Sequence, residues 1–134
     1  MSDYETVIIC GGPAGLSAAT HLAFHRRTVL VLDRRIGPLP FTLTPLFNVP
    51  GFAIQRGVDI IKQLEAQVKA SGSILERGSV TGLSGSVGAF RVQLADGREY
   101  GAKTLLLATS VARHHPLVNG HYQPWLKCAA KGNT

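Results

Sequence analysis

The sequence has few cysteines and no long apolar run. Cys10 and Cys128 are the two cysteines among its 134 residues, and they form no C-x-x-C pair. We therefore expect neither a disulfide framework nor a cysteine-based zinc site. No apolar run reaches the roughly 18–20 residues that a membrane span requires. The polar, acidic start, Met-Ser-Asp-Tyr-Glu, differs from a secretory signal, so we expect a cytoplasmic protein without membrane attachment.

Charged residues are also scarce, and most of them are basic. Charged residues make up 16% of the chain, and 14 Lys and Arg against 8 Asp and Glu give a net charge of +6. Such an excess raises the question of nucleic acid. However, the densest groups are just the pairs Arg26-Arg27 and Arg34-Arg35, with no basic helix face and no aromatic RNA-binding motif. We therefore expect no nucleic-acid partner.

The length and the 45% hydrophobic content are typical of one globular domain. We place this domain at residues 1–115 and an irregular C-terminal tail at residues 116–134, where no periodicity is convincing. The tail follows the pair His114-His115, and a second pair, His21 and His25, has helical spacing. Neither pair has accompanying carboxylate or cysteine ligands in a known pattern, so we predict no metal site.

The first third of the chain has the pattern of a strand–helix–strand unit. The β-branched run Thr6–Cys10 predicts a buried parallel strand, which the glycine-rich stretch Gly11–Gly15 ends. Alanines and leucines favour a helix over Leu16–Phe24. Thr28–Leu32 predicts a second strand, and Asp33 follows it. This order is typical of a dinucleotide-binding unit.

The rest of the chain predicts a sheet with an antiparallel part. Prolines indicate a loop over residues 36–56, and apolar spacing predicts a helix over Val58–Ala70, followed by a short strand at Ile74–Glu76. Alternation over Ser79–Ala102 predicts a three-stranded antiparallel meander, and Leu105–Ala108 a separate buried strand. We therefore expect an α/β, Rossmann-like fold: a parallel sheet with helices on both faces, plus the meander.

The glycine turn matches most of the dinucleotide fingerprint G-x-G-x-x-G. Gly12 and Gly15 occupy its second and third glycine positions, whereas Cys10 replaces the first. The second glycine lets the backbone approach a pyrophosphate, and the third allows close helix–strand packing. At the first position, two interpretations stay open: Cys10 strains the turn, or Gly11 adopts the unusual dihedral angle.

An acidic residue stands where the fingerprint requires one. Asp33 closes the second strand, where a carboxylate can accept hydrogen bonds from ribose hydroxyls. Arg34 and Arg35 follow it and can neutralise phosphate or stack on adenine. The alternative is an ordinary strand–helix–strand turn with an exposed aspartate.

Four stretches resemble a known protein family in the same order. Val7–Ala19 looks like the FAD-binding start of flavoproteins with two dinucleotide-binding domains, and is most similar to the low-molecular-weight thioredoxin reductase group. Phe47–Phe52 resembles that group's N-x-P-G-F loop near the flavin, and Gly57–Ala70 resembles the helix after it. Thr104–Ser110 resembles the strand that ends in A-T-G. The resemblance covers residues 5 to about 115.

The resemblance implies FAD as cofactor and assigns roles to individual residues. Residues 1–115 would be the first segment of the FAD domain. Ser110 replaces the usual glycine of A-T-G, and Asp33 stands where such proteins more often have Glu. The implied cofactor site consists of Gly11, Gly12, Pro13, Ala14 and Gly15 at the pyrophosphate, Asp33 and Arg34 at the adenosine, Asn48 near the flavin, Val80 at the adenine, and Ala108, Thr109 and Ser110 along the cofactor.

The same resemblance shows what this sequence does not contain. Members of the group continue into an NADPH-binding domain, and true reductases carry a C-x-x-C pair. We therefore expect the FAD-binding portion of a thioredoxin reductase-like, NAD(P)H-dependent oxidoreductase, incomplete relative to the family and without a catalytic side chain of its own. Whether it is an enzyme stays open. The alternative is a non-enzymatic nucleotide-binding module or a degenerate truncated product. Self-association, or a partner chain that completes the domain, is expected.

Overall fold

The computed structural model describes residues 4–35, 39–110, 117–118 and 121–122. In chain order, its elements are β1 (Tyr4–Ile9), α1 (Pro13–Phe24), β2 (Val29–Asp33), a 3-10 turn (Leu39–Phe41), α2 (Gly57–Ala70), β3 (Ile74–Arg77), β4 (Val80–Ser86), β5 (Ala89–Leu94), β6 (Glu99–Leu107), β7 (Leu117–Val118) and β8 (His121–Tyr122).

Six strands form one mixed sheet in the order β3-β2-β1-β6-β5-β4. The strands β3, β2, β1 and β6 are parallel, whereas β5 and β4 are antiparallel to their neighbours. Parallel neighbours need crossover connections, which α1 supplies between β1 and β2, and α2 between β2 and β3. The expected α/β class with an antiparallel meander is confirmed.

The strand β6 belongs to both parts of the sheet. Gly101 lies opposite Arg91 in the antiparallel ladder with β5, and Leu105 lies opposite Val7 in the parallel ladder with β1. We predicted two separate strands here, and this prediction is wrong. Lys103 and Thr104 continue the extended backbone, because neither a proline nor a turn pair interrupts it.

The two faces of the sheet are covered differently. Side chains alternate along β1 and β2, so that Ile8 and Val31 face one way and Val7 and Leu30 face the other. The first face packs against both helices, in a cluster with Leu16, Ala19, Ile61 and Val68. The second face packs against the meander, in a cluster with Val92, Leu94 and Ala102. The described residues thus place α1 and α2 on one face, where we expected helices on both.

Two further segments complete the described chain. Between β2 and α2, residues 42–56 contain one isolated bridge, Leu46 with Gln55, in agreement with the predicted loop. In the predicted irregular tail, β7 and β8 pair as a small hairpin, with Leu117 opposite Tyr122. The rest of the tail and His114-His115 lie outside the described residues, so the domain boundary stays a prediction. Neither described helix is long and apolar enough to cross a membrane.

Candidate functional site

The carboxyl ends of β1, β2 and β6 meet at one edge of the sheet. Ile9 lies opposite Leu32 on one side and opposite Leu107 on the other. Just beyond, the Cys10 N–H donates to the Leu32 carbonyl at 2.8 Å, and the Ala108 N–H donates to the Ile9 carbonyl at 3.0 Å. Three predicted site segments therefore lie together: the glycine turn, Asp33 and residues 108–110. Open α/β sheets bind ligands at this kind of edge.

The backbone of the glycine turn has an unusual conformation at Cys10. Its φ is +90°, in the region that favours glycine, whereas Gly11 is not among the residues with positive φ. The interpretation in which Gly11 adopts the unusual dihedral is therefore wrong, and Cys10 carries the strain. A left-handed conformation costs an L-residue about 1–2 kcal/mol. The turn thus has the shape a glycine would give it, in spite of the side chain.

Two glycines of the turn are required by close contacts. A Cβ on Gly15 would lie 2.1 Å from the Cys10 carbonyl oxygen, so α1 can approach β1 only with glycine there. A Cβ on Gly11 would lie 2.8 Å from the Asp33 side chain. Gly11 therefore makes room for the carboxylate, a role that the fingerprint does not predict.

Gly12 differs from these two glycines because it faces open space. A Cβ on Gly12 would have no neighbour within 4 Å, and the φ of −75° is accessible to any residue. No contact among the described residues therefore explains a glycine at this position. An approaching ligand would explain it, because the second fingerprint glycine is where backbone and pyrophosphate come close.

The N-terminus of α1 begins at this open space. Gly12 is the N-cap residue without a side-chain cap, Pro13 follows at the first helical position, and the first turn contains no acidic residue. The Leu16 N–H donates to the Gly12 carbonyl at 2.9 Å, which leaves the N–H groups of Ala14 and Gly15 without intrahelical acceptors. Free amides and the positive end of the helix dipole favour an anion here.

Asp33 points at the glycine turn from β2. The residue is 6% exposed, and its Oδ1 accepts from the Gly11 N–H and from the Arg35 N–H, each at 3.1 Å. Its Oδ2 forms an ion pair with Arg77. The alternative of an exposed aspartate unrelated to the turn is therefore wrong.

Sequence reasoning missed Arg77 and Glu65, which form a cluster of charged side chains with Asp33 and Arg35. Arg77 at the end of β3 also donates to Oε1 of Glu65 on α2 at 2.6 Å, and Arg35 lies 3.7 Å from the same carboxylate. Arg77 and Asp33 are 44 positions apart in the chain. Their proximity follows from the parallel register of β2 and β3, in which Asp33 lies opposite Arg77. A signal existed, since opposite charges end two strands that a single crossover places side by side.

The remaining predicted residues lie at various distances from this centre. The start of β4 is close, because the Gly78 N–H donates to the Asp33 carbonyl at 3.2 Å and Val80 follows two residues later. Ser110 has a φ of +61°, another non-glycine residue in a conformation suited to glycine. Arg34, Asn48, Pro13, Ala14, Thr109 and Ser110 are exposed, and Ala108 is half-buried.

Asn48 is not brought to the glycine turn by any hydrogen bond between described residues. It lies on the exposed loop before α2.

The described part of the chain also contains no group of three or more His, Cys, Asp or Glu side chains placed to hold a metal ion. His21 and His25 pack edge to face, with ring centroids 4.9 Å apart.

Among known proteins, the chain is similar to reductases. The ferredoxin–NADP reductase of Metallosphaera sedula is 30% identical over 87% of this chain, and the thioredoxin reductase of Aquifex aeolicus is 32% identical over 79%. Among solved structures, the atypical thioredoxin reductase from Desulfovibrio vulgaris Hildenborough matches with a TM-score of 0.74 and 32% identity, covering 85% of this chain and 38% of its own. No protein-family model matches the chain.

The matched part is the N-terminal part of these reductases. The chain spans 37% of the Metallosphaera sedula protein and 33% of the Aquifex aeolicus protein. The resemblance to the thioredoxin reductase group is therefore confirmed for the segment that both share.

Proposed function

We propose that this chain, which is similar in sequence and fold to the N-terminal part of thioredoxin and ferredoxin–NADP reductases, binds FAD as the cofactor-holding segment of an NAD(P)H-dependent oxidoreductase. The observation that carries the proposal is the open space at Gly12, at the N-terminus of α1 and next to Gly11, whose N–H donates to the Asp33 carboxylate. A dinucleotide requires both features, an anion site and an acceptor for ribose hydroxyls.

The pyrophosphate would lie against Gly12, Pro13, Ala14 and Gly15. The amides of Ala14 and Gly15 are the free donors of the first helical turn, and Pro13 has no N–H to leave unsatisfied. The absence of an acidic residue from this turn supports an anionic ligand. Gly11 would contribute indirectly, because its lack of a side chain lets Asp33 reach the turn.

The two ends of the cofactor would contact different segments. On the adenosine side, Asp33 would accept from the ribose, the Val80 backbone would meet the adenine, and the exposed Arg34 would lie nearby. On the flavin side, residues 108–110 would contact the cofactor through their backbone, and Asn48 would approach from its loop. The carboxyl edge shared by β1, β2 and β6 supports this arrangement.

The chemistry of such a protein belongs to the cofactor. A flavin would supply the redox chemistry when bound, and the protein groups would bind and orient it. The residues of this chain would hold the pyrophosphate with main-chain amides and the ribose with one carboxylate. We assign no catalytic side chain to them.

The proposal is tested by FAD titration of the wild-type chain and of Gly12→Ala. An alanine at Gly12 meets no protein atom within 4 Å, so the fold should keep its thermal midpoint. The new methyl group would occupy the space of the ligand, and FAD affinity should fall about tenfold or more, equivalent to about 1.4 kcal/mol. Gln67→Ala, on the exposed surface of α2, is the matched control and should bind like wild type.

Two results would contradict the proposal: a folded wild-type chain that does not bind FAD, or a Gly12→Ala variant that binds it equally well. Adding NADH or NADPH to the FAD-loaded protein then distinguishes a chain that supports flavin reduction from a non-enzymatic nucleotide-binding module. Retained yellow colour is expected from this chain by itself and indicates cofactor binding without turnover. Bleaching would show that a nicotinamide site lies within these 134 residues.

A further inference from the structure

We infer that Arg77 is a positioning residue for the adenosine end of the site. Through its ion pair with Asp33 it holds the carboxylate against the glycine turn and leaves that carboxylate one acceptor position, so that a single ribose hydroxyl is recognised. The inference rests on the proposed nucleotide binding and adds a specificity to it.

Most hydrogen-bond acceptor positions on the Asp33 carboxylate are already occupied. An ionised carboxylate offers about four lone-pair positions. The N–H groups of Gly11 and Arg35 occupy two positions on Oδ1, and Arg77 occupies one on Oδ2. One position on Oδ2 remains for a ligand. A nucleotide ribose presents two hydroxyl groups, so one of them must find another partner or remain in water.

Arg77 is itself held in a defined orientation. Its Nη1 donates to Asp33 and its Nη2 donates to Glu65 at 2.6 Å, and the Glu65 side chain is 12% exposed. A planar guanidinium that bridges two carboxylates has little rotational freedom. The chain of contacts from Glu65 through Arg77 to Asp33 therefore transmits the position of α2 to the glycine turn.

The ion pair is not needed to join β2 to β3. The two strands are already joined by a parallel ladder over four residue pairs, and the Gly78 N–H donates to the Asp33 carbonyl just beyond it. The Arg77 side chain is also 41% exposed, so solvent screens its contribution to stability. These observations favour a role in orienting the Asp33 carboxylate over a role in holding the sheet together.

The test compares the affinity of ADP with the affinities of 2′-deoxy-ADP and 3′-deoxy-ADP. For the wild-type chain, one of the two analogues should bind about tenfold more weakly than ADP, and the other should bind within about twofold of it. Arg77→Met should bring all three affinities within about twofold of one another. Arg77→Lys keeps the positive charge but lacks the planar guanidinium that bridges two carboxylates, and should retain part of the discrimination between the two analogues.

Arg91→Met is the matched control. Arg91 lies on β5, pairs with Glu99 at 3.7 Å with 62% of its side chain exposed, and should leave the wild-type discrimination intact when replaced. Circular dichroism establishes that each variant is folded. If Arg77→Met does not fold, partial discrimination in Arg77→Lys carries the test.

Several results would overturn the inference. Equal weakening of all three nucleotides in Arg77→Met, with the discrimination unchanged, would give Arg77 a structural role alone. Tighter ADP binding by that variant would mean that Arg77 hinders the ribose by occupying Oδ2 more than it helps by orienting the Asp33 carboxylate. A wild-type chain that binds ADP without preferring either hydroxyl would refute the inference and leave nucleotide binding intact. A wild-type chain that binds neither ADP nor FAD would refute the proposed function itself.

Discussion

Replacing Cys10 by glycine is expected to stabilise this protein by about 1 kcal/mol. Cys10 has a φ of +90°, beyond the left-handed well of L-residues, so its strain lies at the upper end of the usual cost of about 1–2 kcal/mol. Glycine removes this strain but gives the unfolded chain more freedom, at a cost of about 0.5–1 kcal/mol. The strain energy that glycine removes is larger than the entropic cost that it adds, so the glycine variant should be more stable than the wild type.

Thermal and urea denaturation of Cys10→Gly measure this balance. A gain of 1 kcal/mol corresponds to a rise in Tm of about 3–5 °C for a chain of this size. Cys10→Ala is the control that separates the effect of backbone strain from the effect of losing the thiol, because it removes the sulfur and keeps the Cβ. It should show no stabilisation. A lower Tm for the glycine variant, or an equal rise for the alanine variant, would refute the reasoning from backbone strain.

Two further stability predictions follow from close packing and from protonation. Gly15→Ala should destabilise the protein by about 2–3 kcal/mol in urea denaturation, because its Cβ would lie 2.1 Å from the Cys10 carbonyl oxygen, and an unchanged midpoint would argue against this close approach. Burial, and then the hydrogen bond to Glu76, raise the pKa of Tyr100 above its ordinary value of 10.0. Folding therefore favours the neutral phenol, so the Tyr100 contribution is fully present below pH 10 and is lost as the pH rises toward the folded-state pKa. Tyr100→Phe should reduce this alkaline loss in denaturation curves, and an identical decline in both proteins would contradict it.

The first strand–helix–strand unit was predictable because its determinants are local. The apolar run before Gly11, the helix-forming run after it and the second run before Asp33 each favour their structure without help from distant residues. The structure places β1, α1 and β2 within a few residues of those expectations. The wrong division of β6 has the opposite cause. A continuous strand that changes partners halfway is defined by its neighbours β1 and β5, and no local pattern encodes this change.

The candidate site was predicted where one segment supplies it, and missed where distant segments meet. Gly12, Gly15 and Asp33 were found from the spacing of a single motif. The motif by itself does not distinguish Cys10 from Gly11 as the residue with the unusual dihedral, and the folded backbone places the positive φ at Cys10. Arg77 required the register of β2 with β3, because the opposite charges at the ends of the two strands indicate an ion pair only once the strands are known to be neighbours.

We propose above that the edge formed by the glycine turn and Asp33 holds an adenine dinucleotide. Calorimetric titration of FAD into the purified wild-type chain, followed by displacement with ADP, tests it most directly. We expect one FAD bound per chain and its displacement by ADP, since both ligands would use the amides at the start of α1 and the Asp33 carboxylate. A folded chain that gives no saturable FAD binding, or binding that ADP does not affect, would contradict it.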